Sequence, residues 1–203
     1  MTKIGVWIEA SAGGVKEANF GVLTAARRQE GVEIYAFLMN AGADECREAL
    51  QLYGAQKIVE ITMEGADPAA DPERQASALA EAIKHFEMPA LLGLSSARGR
   101  DLLARTAALM DVPLIQDCMG VDPAAGTVVK SHFSGRTLAT IRFNSNPYIC
   151  GLRPNAIEPQ TGEPACAAWP PPPARAAPSR RPIRTRRPRG GAGASPGRCG
   201  TSS

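Results

Sequence analysis

The sequence predicts an α/β domain in which a mainly parallel β-sheet is covered by helices on both faces, followed by an antiparallel hairpin and a disordered tail. Two observations predict this fold. From residue 3 to residue 119, short apolar segments alternate with helical patterns, which indicates successive βαβ units. After Gly120 the pattern changes to two strand-like segments around the turn Ser134-Gly135-Arg136, which is typical of a hairpin.

The first third of the chain contains three predicted strands and two predicted helices. The strands cover residues 3–9, 32–38 and 57–62, which are rich in apolar and β-branched side chains. Between them, apolar residues at spacings near 3.6 predict helices over residues 15–26 and 43–52. A Gly-rich loop at residues 10–14 follows the first strand, and the second helix is expected to stop at Gly54.

The clearest helix signal begins at Asp71-Pro72, because Asp71 can cap the first turn and Pro72 suits the first helical position. This helix is expected to end before Pro89. After it, residues 90–94 are predicted to form a fully apolar strand, residues 95–101 a polar loop, residues 102–110 a helix and residues 114–119 a strand. The two hairpin strands are expected at residues 127–133 and 137–143, and a last short strand at residues 148–153.

Charge and proline divide the chain at about residue 158. Residues 1–158 carry 15 basic and 19 acidic residues, whereas residues 159–203 carry eight Arg, one acidic residue and ten of the 17 prolines. So few apolar residues cannot offset the entropy of ordering, and we expect residues 159–203 to be a disordered Pro/Arg-rich tail. The tail is either an Arg-rich arm for nucleic acid or anionic membrane, or the out-of-frame product of a GC-rich coding sequence. We favour the frameshift, so nucleic acid is not an expected partner.

The composition argues against secretion, membrane insertion and a metal centre. The apolar run at residues 4–8 is too short for a signal peptide, and no apolar stretch approaches the ~20 residues of a membrane helix. Five widely spaced cysteines without a CxxC pair, and two histidines, support neither a disulfide framework nor a zinc site. We therefore expect a cytoplasmic protein without a membrane span or a metal.

No catalytic residues are predicted. Residues 93–97, GLSSA, lack one glycine of the GxSxG nucleophile elbow, and His132 lies within the predicted hairpin, where a packed or surface histidine is the simpler interpretation. The Gly-rich loop at residues 11–14 lacks the full GxGxxG spacing of a dinucleotide-binding turn. The residues alone favour a binding scaffold over a self-sufficient catalyst.

The loop after the fourth predicted parallel strand is the candidate binding site. Hydroxyls, a glycine and cations at a helix N-terminus can hold a phosphate or a partner carboxylate, and the loop supplies Ser95, Ser96, Arg98, Gly99 and Arg100. The alternative interpretation is structural: the two serines cap the helix, while Asp101 complements the helix dipole and pairs with Arg105. The sequence leaves both open.

Residues 93–117 also resemble a known family. GLSSARGRDLLARTAAL followed by VPLIQD is similar to the segments G-T-S…G-R-D-L-A-P-R-x-A-x-x-L and P-L-V-T-D of electron transfer flavoprotein α subunits. Residues 134–140 resemble its G-G-K-A…A-T, residues 152–155 its R-P-G, and residues 49–57 its L…Y-G-A-D-K-V. The resemblance covers about residues 3–158 in the family's order.

The resemblance implies an N-terminal α-subunit domain with a Rossmann-like, adenine-nucleotide-hydrolase-like fold. It implies a β subunit as partner and an FAD-containing heterodimer that carries electrons from dehydrogenases to an acceptor, so the chain would belong to an electron carrier rather than to a catalyst with its own substrate. The family holds FAD chiefly in a C-terminal α domain that we do not expect here. The chain would then keep the partner-binding scaffold without the main FAD site. The alternative is a stand-alone nucleotide-binding module with a basic interaction tail.

Overall fold

The computed structural model describes residues 2–11, 14–39, 43–62 and 71–162. The strands in these residues are β1 (Thr2–Trp7), β2 (Ala10–Ser11), β3 (Gly14–Val15), β4 (Val32–Met39), β5 (Lys57–Ile61), β6 (Ala90–Leu94), β7 (Leu114–Asp122), β8 (Thr127–His132), β9 (Thr137–Arg142) and β10 (Tyr148–Leu152). The helices are α1 (Ala18–Ala26), α2 (Ala43–Leu52), α3 (Pro72–His85) and α4 (Ala97–Met110).

The described strands, apart from β2 and β3, form one sheet in the order β5-β4-β1-β6-β10-β7-β8-β9. All neighbours from β5 to β7 are parallel, and β7, β8 and β9 are antiparallel. The predicted α/β class, with a parallel sheet extended by an antiparallel hairpin, is therefore confirmed. Strands β2 and β3 pair with each other, so the predicted loop after β1 is a two-residue ladder.

Helices cover both faces of the parallel part of the sheet. On one face the strands pack against α1 and α2 through a cluster that includes Ile4, Leu23 and Leu50. On the other face α3 and α4 cover a second cluster, which includes Trp7, Leu79 and Leu103. Apolar side chains on both faces of the strands explain why the central strands have near-continuous hydrophobic sequences.

The predicted start of α3 is confirmed in detail. Pro72 is the first helical residue, and the side chain of Asp71 accepts a hydrogen bond from the backbone N–H of Arg74 at 3.0 Å. The predicted start of α4 was wrong, because the helix begins at Ala97 and not at residue 102. Most of the predicted polar loop is thus the first turn of α4.

The last strand of the described fold lies in the middle of the sheet. β10 is parallel to β6 on one side and to β7 on the other, and all five of its residues are buried. Between Cys150 and Leu152 its register with β7 shifts, which marks a bulge in β7 near Asp117. The sequence predicted this strand but not its place.

Residues 153–162, the C-terminal strap, pack along α1. A Cβ at Gly21 would lie 2.4 Å from the carbonyl oxygen of Ile157, so the strap touches the helix backbone. Farther along α1, the hydroxyl of Thr24 accepts a hydrogen bond from the Gln160 N–H at 3.0 Å, and Arg27 donates to the carbonyl oxygens of Gln160 and Gly162.

The predicted domain boundary at residue 158 falls within the C-terminal strap, and the rest of the predicted tail, residues 163–203, lies outside the described residues. Across the described part of the chain, no helix has the length and apolar character that crossing a bilayer requires.

Candidate functional site

The turn from β6 into α4 holds the two serines of the predicted site. Ser96 is the N-cap of α4, and its Oγ accepts a hydrogen bond from the Gly99 N–H at 2.9 Å. Ser95 does not cap the helix, contrary to the structural interpretation. Its Oγ accepts a hydrogen bond from the backbone N–H of Asp117 at 2.9 Å, and its own N–H donates to the Leu152 carbonyl at 2.7 Å. Ser95 therefore joins β6 to β7 and β10.

Gly99 allows the first turn of α4 to pack against the end of β6. A Cβ at this position would lie 1.9 Å from the carbonyl oxygen of Leu94 and 3.1 Å from the ring of Trp7. Because no side chain can occupy that space, the glycine is needed for close packing of the helix on the sheet. This role involves the protein's own backbone and requires no ligand.

The two arginines of the predicted site contact other parts of the protein. The guanidinium of Arg100 donates from Nε to the Ser95 carbonyl oxygen at 3.1 Å, and its Nη2 lies 3.4 Å from Oδ1 of Asp117. Arg98 reaches Oε1 of Gln75 on α3 at 3.5 Å. The five predicted residues are thus contiguous at the carboxyl edge of the sheet, and four of the side chains have partners within the fold.

Asp117 and Arg153 are site residues that the sequence reasoning missed. Arg153 follows β10 and donates to Asp117 from Nε at 3.0 Å and from Nη2 at 2.8 Å. The hydrogen bond from Arg153 and the nearby charges of Arg153 and Arg100 hold the pKa of Asp117 below its usual range, against the opposing effect of desolvation. The same pair raises the pKa of the Arg153 guanidinium.

The backbone of Asp117 is in the left-handed region, with φ of 61°. Such a conformation is uncommon outside glycine, and Asp and Asn tolerate it best. It accompanies the bulge of β7, which turns the carboxylate towards Arg153 and Arg100. Both Asp117 and Arg153 lie in segments of the sequence that carried the family resemblance, which was the available signal for them.

We name Ser95, Arg100, Gln116, Asp117 and Arg153 the carboxyl-edge network. Gln116 completes it, because its Nε2 donates to the Arg100 carbonyl oxygen at 2.9 Å. Just outside the network, Arg105 donates to both carboxylate oxygens of Asp101 at 3.0 Å, as the structural interpretation expects. The network ties the ends of β6 and β10 and the bulge of β7 to the first turn of α4.

The end of β1 carries a second polar cluster. Glu9 is buried, its Oε1 pairs with the ammonium of Lys16, and its Oε2 has no hydrogen-bond partner. Asn19 of α1 accepts from the Glu9 N–H at 3.1 Å and donates to the Glu9 carbonyl oxygen at 2.9 Å. The Gly-rich loop at residues 11–14 includes Ala12 and Gly13, which lie outside the described residues.

A cavity of about 430 Å³ lies at the opposite, amino edge of the strands, beside the C-terminal ends of α3 and α4. Its walls include Lys84, Glu87, Met110 and Asn146. The C-terminal end of a helix is the negative end of its dipole, which disfavours the phosphates of a dinucleotide. At the N-terminal end of α4, where a pyrophosphate would be favoured, the Ser96 hydroxyl and the Arg100 guanidinium already have protein partners. Neither of these two places in the described fold therefore favours the pyrophosphate of FAD.

The fold and the network define an α/β domain of the doubly wound class with a tightly bonded carboxyl edge. A family model described as the electron transfer flavoprotein domain matches residues 4–185. The chain belongs to the electron transfer flavoprotein domain family, which confirms the family that the sequence resembled.

Curated relatives agree with this assignment. The chain is 25% identical over 158 residues to the electron transfer flavoprotein subunit alpha of Syntrophomonas wolfei, with 76% of this chain and 49% of the relative covered. It is 24% identical over 163 residues to the probable mitochondrial electron transfer flavoprotein subunit alpha of Schizosaccharomyces pombe, with 77% of this chain and 46% of the relative covered. A putative electron transfer flavoprotein subunit, YdiR of Escherichia coli, is 26% identical to this chain over 138 residues, with 67% of this chain and 43% of the relative covered. The chain spans about half the length of the curated relatives it matches.

Proposed function

We propose that this chain provides the partner-binding domain of an electron transfer flavoprotein α subunit. In this proposal it pairs with a β subunit, and the heterodimer carries electrons from dehydrogenases to an acceptor by means of FAD. The observation that carries the proposal is the family match over residues 4–185 together with the similarity to two α subunits. The carboxyl-edge network supports a scaffold role, because its side chains mainly bond one another.

The proposal assigns FAD to a part of the complex other than the domain of residues 2–162. Two observations support this assignment. The cavity at the amino edge lies beside helix C-termini, and at the N-terminus of α4 the Ser96 hydroxyl is already bonded to the Gly99 N–H. A flavin that accepts and donates electrons supplies the redox chemistry of such a complex. The contribution of this chain is then to hold and orient the partner.

Co-expression of the full 203-residue chain with the electron transfer flavoprotein β subunit of the same organism tests the proposal. Size-exclusion chromatography with absorbance at 280 and at about 450 nm would report the complex and its flavin. We expect the two chains to co-elute and the chain alone to be colourless. A β subunit that elutes separately would contradict the pairing. Stoichiometric flavin retained by this chain alone would contradict the assignment of FAD elsewhere.

The nucleotide-binding alternative requires the predicted loop to exchange its internal bonds for a ligand. A phosphate between Ser95, Ser96 and Arg100 would have to compete with Asp117 for Arg100 and with the Gly99 N–H for the Ser96 hydroxyl. Titration of the chain with ATP, AMP and FAD, monitored by thermal shift, tests this alternative. A saturable stabilisation that is lost in Arg100→Gln would favour it, and no shift with any of the three would remove it.

A further inference from the structure

Two buried cysteines lie on neighbouring strands in the middle of the sheet. Cys118 is on β7 and Cys150 is on β10, which pairs with β7, and both residues are 0% exposed. Both are free thiols, and both belong to the cluster that packs against α1 and α2. The function proposed above uses neither of them, although they are far apart in the sequence and the fold brings them together.

The bulge of β7 places the two thiols on one face of the sheet. Cys150 is opposite Ile115, and two residues later Leu152 is opposite Cys118. Because residues two apart on a strand project to the same face, Cys150 shares the face of Leu152 and therefore that of Cys118. The extra residue of the bulge lies between these two pairs, where the regular ladder is interrupted. Cys118 and Cys150 are thus diagonal neighbours on adjacent strands.

The two thiols are in hydrogen-bond contact and differ in acidity. The Cys150 thiol donates to the Cys118 sulfur, and the Cys118 thiol donates to the Ile115 carbonyl oxygen at 3.7 Å. The bond from Cys150 lowers the pKa of Cys118 against the effect of burial. Lys130, which is opposite Cys118 on β8, lowers this pKa further, whereas the charge of Asp117 raises it. The bond between the thiols, and then burial, raise the pKa of Cys150, so Cys118 is the thiol that more readily forms the reactive thiolate.

The reaction of the pair with a solute depends on local opening of the fold, because neither thiol is exposed. The Cys118 carbonyl oxygen accepts a hydrogen bond from the Arg153 N–H at 2.8 Å, where the C-terminal strap begins. Ile157 of the strap belongs to the same cluster as both thiols. Release of the strap therefore frees the backbone of Cys118 and uncovers part of the cluster, which gives a small oxidant a route to the pair.

We propose that Cys118 and Cys150 form a dithiol site that hydrogen peroxide oxidises to a disulfide between β7 and β10. The Cys118 thiolate attacks one peroxide oxygen and the O–O bond breaks, so that Cys118 becomes a sulfenic acid and the other oxygen leaves as water. The Cys150 sulfur then displaces the sulfenic hydroxyl, which leaves as a second water with the thiol proton. Two thiols and one peroxide thus give one disulfide and two waters. This inference is independent of the proposed function.

The test treats the folded full-length chain with hydrogen peroxide, removes the oxidant, and then unfolds the chain and alkylates the remaining thiols for mass spectrometry. Cys166 and Cys199, which lie outside the described residues, are replaced by serine in every form. We expect a mass lower by two hydrogens, a cross-linked peptide that contains Cys118 and Cys150, and recovery of both thiols after treatment with dithiothreitol.

Three single variants separate the roles of the cysteines. Cys46→Ser is the matched control, because Cys46 is also buried but lies on α2, and it is expected to form the disulfide as the parent does. In Cys150→Ser, dimedone is expected to label Cys118 as a trapped sulfenic acid. In Cys118→Ser, Cys150 is expected to remain open to alkylation. Circular dichroism melting of each form shows whether the fold is retained.

The parent form decides the matter even where a variant does not fold. Cys118 and Cys150 that both remain open to alkylation after peroxide treatment would overturn the inference, and so would a cross-link to Cys46. Formation of the disulfide only in urea would also overturn it, because the folded arrangement would then not direct the reaction. Oxidation of Cys118 to a sulfinic acid that dithiothreitol does not reverse would exclude a disulfide site.

Discussion

Arg153 and Asp117 form a two-pronged ion pair that joins the end of β10 to the bulge within its neighbour β7. The Arg153 guanidinium contacts both carboxylate oxygens, at 3.0 and 2.8 Å, immediately after β10 ends. Asp117 reaches this position through a left-handed backbone conformation within β7. The pair therefore couples a strained bulge to the point where the C-terminal strap begins.

Asp117→Asn removes the charge while keeping a residue that tolerates the left-handed backbone. We expect a small loss of stability at pH 7, measured as a lower urea midpoint, because the pair is partly solvent-exposed. The pKa of Asp117 is lowered in the folded state, so its stabilisation is present above its ordinary pKa of about 3.9 and is lost as pH falls through the folded value.

The difference in urea midpoint between the unmodified chain and Asp117→Asn should thus be constant from about pH 7 to pH 5 and shrink below about pH 4. Asp44→Asn is a matched control, since Asp44 pairs with Arg47 at 3.0 Å on the exposed face of α2 without backbone strain. A difference that grows as the solution is acidified would contradict the role of the carboxylate.

Gly99→Ala tests the close packing of α4 on β6. Alanine favours helices, yet its Cβ would lie 1.9 Å from the Leu94 carbonyl oxygen, so the helix must move. We expect a net loss of about 3 kcal/mol in the free energy of unfolding, measured by urea denaturation. Gly93→Ala should cost less, because its nearest neighbours are the Leu103 methyl groups at 3.1 and 3.3 Å, which can shift. Equal stability of the two variants would contradict this account.

Thr24→Val tests the C-terminal strap. The substitution keeps the shape of the buried side chain but removes the acceptor for the Gln160 N–H. We expect a loss of about 1 kcal/mol and faster hydrogen exchange at the amides of residues 160–162. Thr106→Val is the control, because the Thr106 hydroxyl is buried and donates to Leu102 within its own helix. Strap exchange that rises equally in both variants would argue against a specific contact.

The phenol of Tyr148 is expected to ionise at a higher pH than that of an ordinary tyrosine. Burial, and then the nearby Cys150 and Asp122, raise its pKa to about 12. A tyrosine in the unfolded chain ionises near pH 10, so the neutral ring stabilises the fold below that pH and this stabilisation is lost as pH rises towards 12. Absorbance titration at about 295 nm of the unmodified chain and Tyr148→Phe should differ by one late-titrating group. A difference that appears near pH 10 would show that the ring is not buried.

Local pattern was enough to predict most elements of the fold. The spacing of apolar residues located α2 and α3, and the fully apolar run at residues 90–94 located β6 with its observed bounds. The place of β10 was not predictable in the same way. A short, fully buried strand has the same sequence character at any central position of a sheet, so its neighbours depend on long-range packing.

The sequence indicated only part of the candidate site. Capping by Ser96 was one of the two interpretations that the sequence left open, but the first turn of α4 was predicted as loop, and adjacent serines do not reveal which of them caps the helix. The pairing of Arg153 with Asp117 requires that β10 lie beside β7, and the left-handed conformation of Asp117 arises from a bulge that sequence alternation does not reveal. Both depend on topology rather than on local pattern.

The central position of β10 has a consequence for how this domain is made. A ribosome synthesises β6 and β7 before the strand that separates them, so the nascent chain carries two unpaired inner edges until residue 152 has emerged. Such edges are prone to wrong pairing with other chains. Within residues 2–162, completion of the sheet and packing of the strap on α1 therefore come after β6 and β7 have been made, and until then these two inner edges are open to pairing with other strands.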